Sequence, residues 1–322
     1  MVVPIVDEGK GVPPWSRVLR LARRAEAGGV DSLWVIDHLM FRYPDRPEYG
    51  LHEADAILAA LAATTERVEL GTLVLATSFR SPAVLAKTAA TVDEIAGGRL
   101  ILGLGCGWHD PEYEAFGFPL DHRVGRFEES MAIIAPLVRG ERVTFAGRWS
   151  SVDDCVLLPP PRRPIPTMIA SKGERMLRLT ARHAQAWNAA WFGRPNARFH
   201  ERVADLLAAC EAEDRDPATI DVTVGIEIDN GDVADRTGLG EHLAADPAVI
   251  AGALGEWAAE GVAHVQLNSG PMDERLIDIL LEAMHRYRGG SAAATELDAA
   301  GRRHLDRATG PSARHAAPSG SA

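Results

Sequence analysis

Cysteine and lysine are scarce in this chain of 322 residues, which has three of each. Cys106, Cys155 and Cys210 are too few and too far apart for a disulfide framework or a zinc site, a usage typical of a reducing compartment. Dense clusters of basic residues are also lacking, and the formal net charge is -11. Both features argue against a nucleic acid or an acidic membrane surface as partner, and leave small neutral or cationic molecules.

Long apolar runs are missing as well. The segment from Met1 to Glu8 has no basic stretch followed by an apolar one, so neither a signal peptide nor a membrane span is expected. We therefore expect a soluble, cytoplasmic protein. Apolar side chains are present in quantity, at 46% of residues, which is enough for a full core.

Short β-rich runs alternate with longer amphipathic stretches as far as residue 288, a pattern typical of repeated βα units. The pattern predicts an α/β fold, a TIM (β/α)8 barrel over residues 1–288. Eight strands are predicted, at Val2–Val6, Ser32–Ile36, Val68–Leu75, Leu100–Leu104, Thr167–Ala170, Ala186–Ala190, Ile220–Ile228 and Ala263–Leu267. Eight helices are predicted between and after them, at Trp15–Ala27, Glu53–Thr64, Pro82–Ile95, His122–Val138, Glu174–Ala184, Ala197–Glu213, Pro247–Glu260 and Asp273–Tyr287.

Two segments depart from this repeat. The connection between the fourth helix and the fifth strand, residues 139–166, is unusually long. Insertions of this kind are commonly lids or binding loops, and a structural spacer is the equal alternative. Residues 289–322 are rich in alanine, serine, proline and glycine, which predicts a mostly disordered tail with one helix around residues 296–307.

The segment from Gly97 to Trp108 is the most informative one. Leu100–Leu104 has the composition of a fully buried strand, and Gly103, Gly105 and Gly107 alternate along its exit. Glycine in a strand usually marks a place where a ligand or another backbone comes very close. Two interpretations are open: a flat ligand that lies on the glycines, or tight packing within the barrel.

Reactive groups of a barrel gather at the carboxyl ends of its strands. The second strand ends in Asp37-His38, and His38 could orient a ligand, transfer a proton or merely bond a neighbouring loop. In the third strand and just beyond its end, Thr72 and Thr77 offer hydroxyls to a ring carbonyl, or are ordinary strand threonines. Cys106 is expected to be an inert small residue beside a ligand, because no nucleophile motif is present.

The fifth strand ends in the turn Ala170-Ser171-Lys172-Gly173-Glu174, which opens a helix. Free N–H groups, the helix dipole, a hydroxyl and a cation favour an anion there, phosphate above all, and a simple helix cap is the alternative. The groups His52 to Asp55 and His109 to Glu114 lack the spacing of a metal-ligand set, so no metal site is predicted.

Taken together, these segments resemble the bacterial luciferase-like monooxygenase family, whose members use reduced FMN or the deazaflavin coenzyme F420. The resemblance covers about residues 1–288 and follows the family's order. It rests on Ala22–His38, Ser81–Lys87, Gly97–Trp108 with Glu112-Tyr113 and Phe116-Gly117 after it, and Leu177–Asn188.

The resemblance implies a ring at the carboxyl ends of the strands, flanked by Asp37 and His38 as catalytic residues. It also implies a cis peptide bond between Leu73 and Val74 against that ring, an insertion that closes over the substrate, and a homodimer. The predicted cofactor site consists of Thr72, Leu73, Val74, Gly105, Cys106, Gly107, Ala170, Ser171, Lys172, Gly173 and Glu174.

Sugar-phosphate dehydrogenases of the F420 branch carry a catalytic glutamate after the glycines of the fourth strand, where this chain has Trp108. Trp108 instead suits an apolar or aromatic substrate. We therefore predict that Trp108 and His109 form a substrate wall.

Three functions are compatible with the sequence. The first expectation is a monooxygenase that acts on a small organic substrate with O2 and reduced FMN, supplied by a partner flavin reductase because the chain shows no dinucleotide domain. The second is hydride transfer with F420, favoured by 31 arginines against three lysines, the composition of a high-GC genome such as those of the actinobacteria that make F420. The third is a flavin-binding protein without turnover.

Overall fold

The computed structural model describes residues 1–6, 11–230, 241–270 and 272–289. Its helices are α1 (Trp15–Ala27), α2 (Ala54–Thr64), α3 (Pro82–Ile95), α4 (Asp110–Phe116), α5 (Arg123–Val138), α6 (Glu174–His183), α7 (Ala197–Ala212), α8 (Pro247–Ala259) and α9 (Glu274–Gly289). Its strands are β1 (Ser32–Val35), β2 (Met40–Tyr43), β3 (Arg46–Gly50), β4 (Glu69–Thr72), β5 (Leu75–Ala76), β6 (Leu100–Gly105), β7 (Val143–Ala146), β8 (Ser151–Cys155), β9 (Thr167–Ala170), β10 (Ala186–Phe192), β11 (Asp221–Asp229), β12 (His242–Ala244) and β13 (His264–Gly270). The predicted tail, from residue 290 onward, and its helix lie outside the described residues.

The main sheet is parallel and curled, as the βα repeat predicts. Its strand order is β1-β4-β6-β9-β10-β11, with β12 and β13 both paired to β11 and β5 paired to β6. The N–H of Val2 donates to the carbonyl of Leu267, and the N–H of Val3 donates to that of Trp34, each at 2.8 Å. Residues 1–3 therefore connect β13 with β1, and the sheet has a TIM-barrel-like form.

The prediction of a regular first strand at Val2–Val6 is wrong. This segment makes isolated bridges from Val2 to Trp34 and from Val6 to Leu51. Pro4 lies between them, and proline has no N–H to donate to a ladder. Hence this segment joins the sheet through isolated backbone hydrogen bonds and does not form a continuous strand.

The predicted third strand is broken into β4 and β5. The peptide bond between Leu73 and Val74, which separates the two pieces, is cis, as the family resemblance implies. The remaining six strands and all eight helices are present, with bounds that shift by three residues or fewer.

Local signals explain these helix bounds. Pro82 begins α3 at a position where a missing N–H costs nothing. The Asn196 side chain accepts from the N–H of Phe199 at 3.1 Å, and Asp246 likewise caps α8. Among the described residues, no helix has both the length and the apolar character needed to cross a membrane.

The apolar core has two parts. The larger part lies between the sheet and the helices, where for example Val18, Leu21, Ala22 and Ala25 form the buried face of α1. The smaller part lies on the inner face of the curled sheet and consists of Val2, Trp34, Ile101, Met168 and Ala186. Partly buried side chains pack against this inner cluster, and we call them the apolar floor: Ile36, Leu73, Val74 and Trp191.

Two antiparallel hairpins that the βα pattern does not reveal extend from this framework. The β7–β8 hairpin of the insertion packs on α5, where the Glu129 carboxylate accepts from the N–H groups of Arg148, Trp149 and Ser150 at 2.7–2.8 Å. The β2–β3 hairpin instead lies beside the exit of β1. The insertion also reaches a strand exit, because its Trp149 and Ser150 line a cavity together with Thr77 and Arg80, which follow β5. Its role as a lid remains a prediction.

Candidate active site

His38 follows β1 at the carboxyl end of the sheet, and a buried carboxylate holds it there. Its Nδ1 lies 3.0 Å from Oε1 of Glu112, whose other oxygen accepts from the N–H of Leu39 at 2.9 Å. The Glu112 side chain is 1% exposed and that of His38 is 14% exposed. Nε2 of His38 has no hydrogen-bond partner among the described residues. This nitrogen is therefore available to a ligand.

Aromatic rings surround the His38 imidazole. The Phe41 ring on β2 is 4.4 Å away between centroids, and the Trp108 ring is 5.3 Å away, edge to face. The Trp108 side chain is 60% exposed, which fits the predicted wall of a substrate site. His109 differs, because it is buried and its Nε2 accepts from the N–H of Arg42 at 3.1 Å. Burial also lowers the pKa of His109, so a neutral His109 fixes the β2–β3 hairpin in place.

Asp37 precedes His38 but has a different environment. Its buried carboxylate accepts from the N–H of Ala76 at 2.8 Å and from both Nη atoms of Arg80 at 2.6 and 2.9 Å. The same guanidinium contacts Asp55 at 2.5 Å and Glu53 at 2.8 Å. Both oxygens of Asp37 are thus occupied by protein donors. The geometry gives Asp37 a role in structure and leaves its predicted catalytic role unsupported.

Thr72 and Gly103 bond to each other across neighbouring strands. The hydroxyl of Thr72 donates to the carbonyl of Gly103 at 2.8 Å and accepts from its N–H at 2.9 Å. A side chain at Gly103 would overlap the Thr72 carbonyl. The geometry therefore favours the ordinary strand threonine over a hydroxyl that contacts a cofactor.

The other two glycines of the run also face protein atoms. A methyl group on Gly105 would lie 2.8 Å from Cγ2 of Val74, and one on Gly107 would overlap the hydroxyl of Tyr113. That hydroxyl donates to the carbonyl of Cys106 at 2.8 Å, and burial raises the pKa of the Cys106 thiol. Packing explains the glycines, so the interpretation that a ligand lies directly on them loses its support. Val74 covers Gly105 and is itself part of the apolar floor.

The turn over residues 170–174 leads into α6, and its groups are differently engaged. The hydroxyl of Ser171 lies 2.8 Å from that of Thr180, which itself donates to the carbonyl of Met176, so Ser171 donates to Thr180. Lys172 is exposed, and the N-terminus of α6 has no side-chain cap. The open donors for an anion are therefore the first N–H groups of α6 and the Lys172 ammonium.

Two buried acidic residues near the carboxyl ends of the strands were given no role by the sequence. Glu112 is on α4, and the sequence places it in a group rejected as a metal site. Glu227 is buried on β11, where it accepts from the Asn268 side chain at 3.0 Å. A charged residue near the end of the apolar run Val224–Ile228 was a signal that could have found Glu227.

A parallel α/β barrel-like sheet with polar side chains at the carboxyl ends of its strands defines the general class of barrel enzymes. The family is given by sequence comparison. The model of the luciferase-like monooxygenase family matches residues 3–316, and the chain belongs to this family.

Individual relatives cover less of the chain. A protein of Beutenbergia cavernae named F420-dependent glucose-6-phosphate dehydrogenase is 36% identical over 211 residues, which are 63% of this chain and 61% of that relative. The chain thus spans about three fifths of this relative's length. Two further relatives of the same name, from Amycolatopsis mediterranei and Microbacterium testaceum, are matched over about half their length.

Solved structures share the fold at low sequence identity. An F420-dependent secondary alcohol dehydrogenase in complex with an F420-acetone adduct has a TM-score of 0.71 and 20% identity, covering 84% of this chain and 94% of its own. The monooxygenase RslO1 from Streptomyces bottropensis has a TM-score of 0.68 and 21% identity, covering 86% and 94%. These likenesses establish the fold.

Proposed function

We propose that this protein is an oxidoreductase that transfers a hydride between coenzyme F420 and a small organic substrate. The observation that carries this proposal is His38, whose Nε2 is open at the carboxyl end of the sheet while Nδ1 contacts the buried Glu112 carboxylate. The curated relatives named above support F420 in preference to the FMN monooxygenase that the sequence placed first.

The residues at the strand ends fit such a cofactor. Partly buried apolar side chains, Leu73 and Val74 among them, suit one face of a planar ring. The uncapped α6 and the exposed Lys172 suit a phosphate. When bound, the deazaflavin would supply a ring carbon that accepts or donates a hydride. The remaining chemistry is a proton transfer, which belongs to the protein.

His38 would perform that transfer. A substrate hydroxyl or amine that loses a hydride from carbon must also lose a proton, and Nε2 of His38 is placed to accept it. Phe41 and Trp108 pack against the imidazole of His38, whose side chain is only 14% exposed, so water has limited access to it. In the opposite direction the same nitrogen returns the proton.

We further propose an apolar or aromatic substrate. Trp108 occupies the position of the glutamate that the resemblance assigns to sugar-phosphate dehydrogenases, and its ring is open to ligand. An indole offers contact area and no carboxylate for acid–base work. Activity on a sugar phosphate is therefore not expected, in spite of the relatives' names.

A monooxygenase that uses reduced FMN from a partner flavin reductase is the second candidate. The aromatic rings around His38 favour it, because such chemistry requires a site that keeps water out. A ring-binding protein without turnover would share the same floor. A homodimer is part of the proposal in each case.

One titration separates the two enzymatic functions. Purified protein is titrated with F420 and, without oxygen, with reduced FMN, and fluorescence reports binding; oxygen uptake is then measured with each. We expect saturable binding of F420 and no oxygen uptake. Saturable binding of reduced FMN together with oxygen uptake would favour the monooxygenase. If neither cofactor binds saturably, both enzymatic proposals are wrong.

A further inference from the structure

The contacts of Glu112 are unusually restrictive for a carboxylate. One oxygen accepts from the backbone N–H of Leu39 at 2.9 Å, and the other lies 3.0 Å from Nδ1 of His38. The side chain is 1% exposed, so water does not offer it a ready alternative partner. The backbone N–H can only donate, and an ionised carboxylate can only accept.

We propose that Glu112 is a positioning residue that fixes the tautomer of His38. One oxygen of the ionised Glu112 carboxylate accepts from Leu39, and the other can only accept as well. Nδ1 of His38 must therefore be the donor in its contact with Glu112. The proton of a neutral His38 then stays on Nδ1, and Nε2 presents a lone pair to the strand ends. That this lone pair meets a substrate rests on the proposed function; the tautomer itself does not.

The surroundings hold both partners in this arrangement. Glu112 is on α4, next to Tyr113, whose hydroxyl donates to the carbonyl of Cys106 at 2.8 Å and ties the helix to the end of β6. Phe41 and Trp108 pack around the imidazole and restrict its rotation. A turn of the ring that exchanged Nδ1 for Nε2 would have to displace them.

A merely structural role for Glu112 makes a different prediction. An acidic residue in the first turn stabilises a helix through its dipole, typically by about 0.3–1 kcal/mol. If Glu112 did only this, its replacement by glutamine would alter stability slightly and leave the histidine tautomer unchanged.

The test is Glu112→Gln, because the amide can be oriented in one way only. The N–H of Leu39 requires the amide oxygen, so the amide N–H must face Nδ1 of His38. Nδ1 then accepts, and the proton of neutral His38 moves to Nε2. Glu114→Gln is the matched control, since Glu114 is exposed on the same helix.

The readout is the long-range ¹H–¹⁵N NMR spectrum of the histidine rings in the full chain without cofactor. The pH is set well above the ordinary histidine pKa of about 6.5. The signals that disappear in His38→Asn assign His38. His109 is an internal reference, because its Nε2 accepts from Arg42 and its proton must stay on Nδ1 in every variant.

We expect His38 to be protonated on Nδ1 in the parent and in Glu114→Gln, and on Nε2 in Glu112→Gln. A parent His38 protonated on Nε2 would overturn the proposal, as would an unchanged tautomer in Glu112→Gln. The parent spectrum alone can overturn the proposal even if Glu112→Gln does not fold.

Turnover then connects the tautomer with the proposed function. If His38 acts as proposed, Glu112→Gln lowers kcat by about 100-fold or more while cofactor affinity is kept, as a wrong tautomer does in other enzymes. A tautomer that switches in a protein without activity on any tested cofactor would contradict the proposed function and leave the role of Glu112 intact.

Discussion

Asp37 and His38 are adjacent in the chain, yet their surroundings are opposite in kind. The Asp37 carboxylate has donors on both oxygens, from Ala76 and Arg80. The His38 imidazole contacts Glu112 through one nitrogen and leaves the other open. A buried group whose bonding capacity is filled by protein stabilises the fold. A group with one position left open can still act on a ligand.

The same contrast recurs at the turn before α6. The hydroxyl of Ser171 is already donated to Thr180, whereas Lys172 has no ion-pair partner in the part of the chain that the structure describes. Residue type alone does not distinguish these neighbours, because serine and lysine both bind phosphate in other proteins. Their partners within the fold make the difference.

Replacement of His38 by asparagine tests the residue whose second nitrogen is left without a protein partner, and it should have the largest effect. Turnover is expected to fall about 10²- to 10⁴-fold, the usual contribution of a general acid or base. Cofactor affinity, measured by fluorescence titration, should change little. His122→Asn is the control, because His122 is exposed and its φ of 53° is one that asparagine tolerates. A fully active His38→Asn would remove His38 from the mechanism.

Replacement of Arg80 by methionine tests the group whose hydrogen bonds are all made within the protein, the Asp37 carboxylate. It leaves the buried Asp37 carboxylate without its cation, so the free energy of unfolding should fall by about 3–5 kcal/mol in urea denaturation. Arg20→Met breaks an exposed pair with Glu274 and should cost less than about 1 kcal/mol. Equal losses of unfolding free energy in the two variants would show that the buried Asp37–Arg80 contact stabilises the fold no more than an exposed ion pair does.

His264 extends the comparison between Asp37 and His38, because it is a buried histidine whose effect on stability depends on pH. His264 bonds the hydroxyl of Ser32 at 2.7 Å and not a carboxylate, and burial lowers its pKa to about 4. Its neutral form stabilises the fold above the ordinary pKa of about 6.5. As the pH falls from there toward 4, the unfolded chain takes up the proton first and up to about 3 kcal/mol of stability is lost.

Urea denaturation of the parent and of His264→Gln over this pH range measures the effect. The stability advantage of the parent should shrink as the pH is lowered. If the difference in unfolding free energy between the parent and His264→Gln stays constant between neutral pH and about pH 4, the pKa of His264 is not lowered in the folded protein.

Lys172 should give the smallest effect. An exposed cation near bound phosphate contributes about 0.3–1 kcal/mol, so Lys172→Gln is expected to weaken cofactor binding about two- to fivefold. High salt should abolish the difference. Ser171→Ala should leave affinity almost unchanged, since that hydroxyl already has its partner. A larger loss from Ser171→Ala than from Lys172→Gln would reverse the assignment of the anion contacts.

Much of the framework could be predicted from the sequence, because helix and strand signals act over a few residues. Pro82 and Asp246 mark helix starts where the structure has them. The predicted strand Val2–Val6 failed for an equally local reason, the missing N–H of Pro4, and closer attention to that residue could have prevented the error.

The site was predicted less completely. His38 and Trp108 lie together at the strand ends, as expected. Glu112 is among the residues that carry the resemblance, but its contact with His38 was not predicted, because the two are 74 residues apart and no spacing rule connects them. The glycines from Gly103 to Gly107 allowed two interpretations, and the sequence could not choose between a ligand and the Tyr113 hydroxyl as the neighbour of Gly107.

The sequence by itself determined the alternation of strands and helices, the family, and which residues come to the carboxyl ends of the strands. The alternation and the strand ends follow from periodicity and helix caps, and the family follows from motifs that occur in a fixed order; all of these are local features of the chain. The tertiary structure alone decided that Arg80 fills the bonds of Asp37, that Ser171 is tied to Thr180, and that Glu112 leaves Nε2 of His38 open. Hydrogen bonding and packing depend on distances in space, and the fold sets those distances between residues that are far apart in the chain.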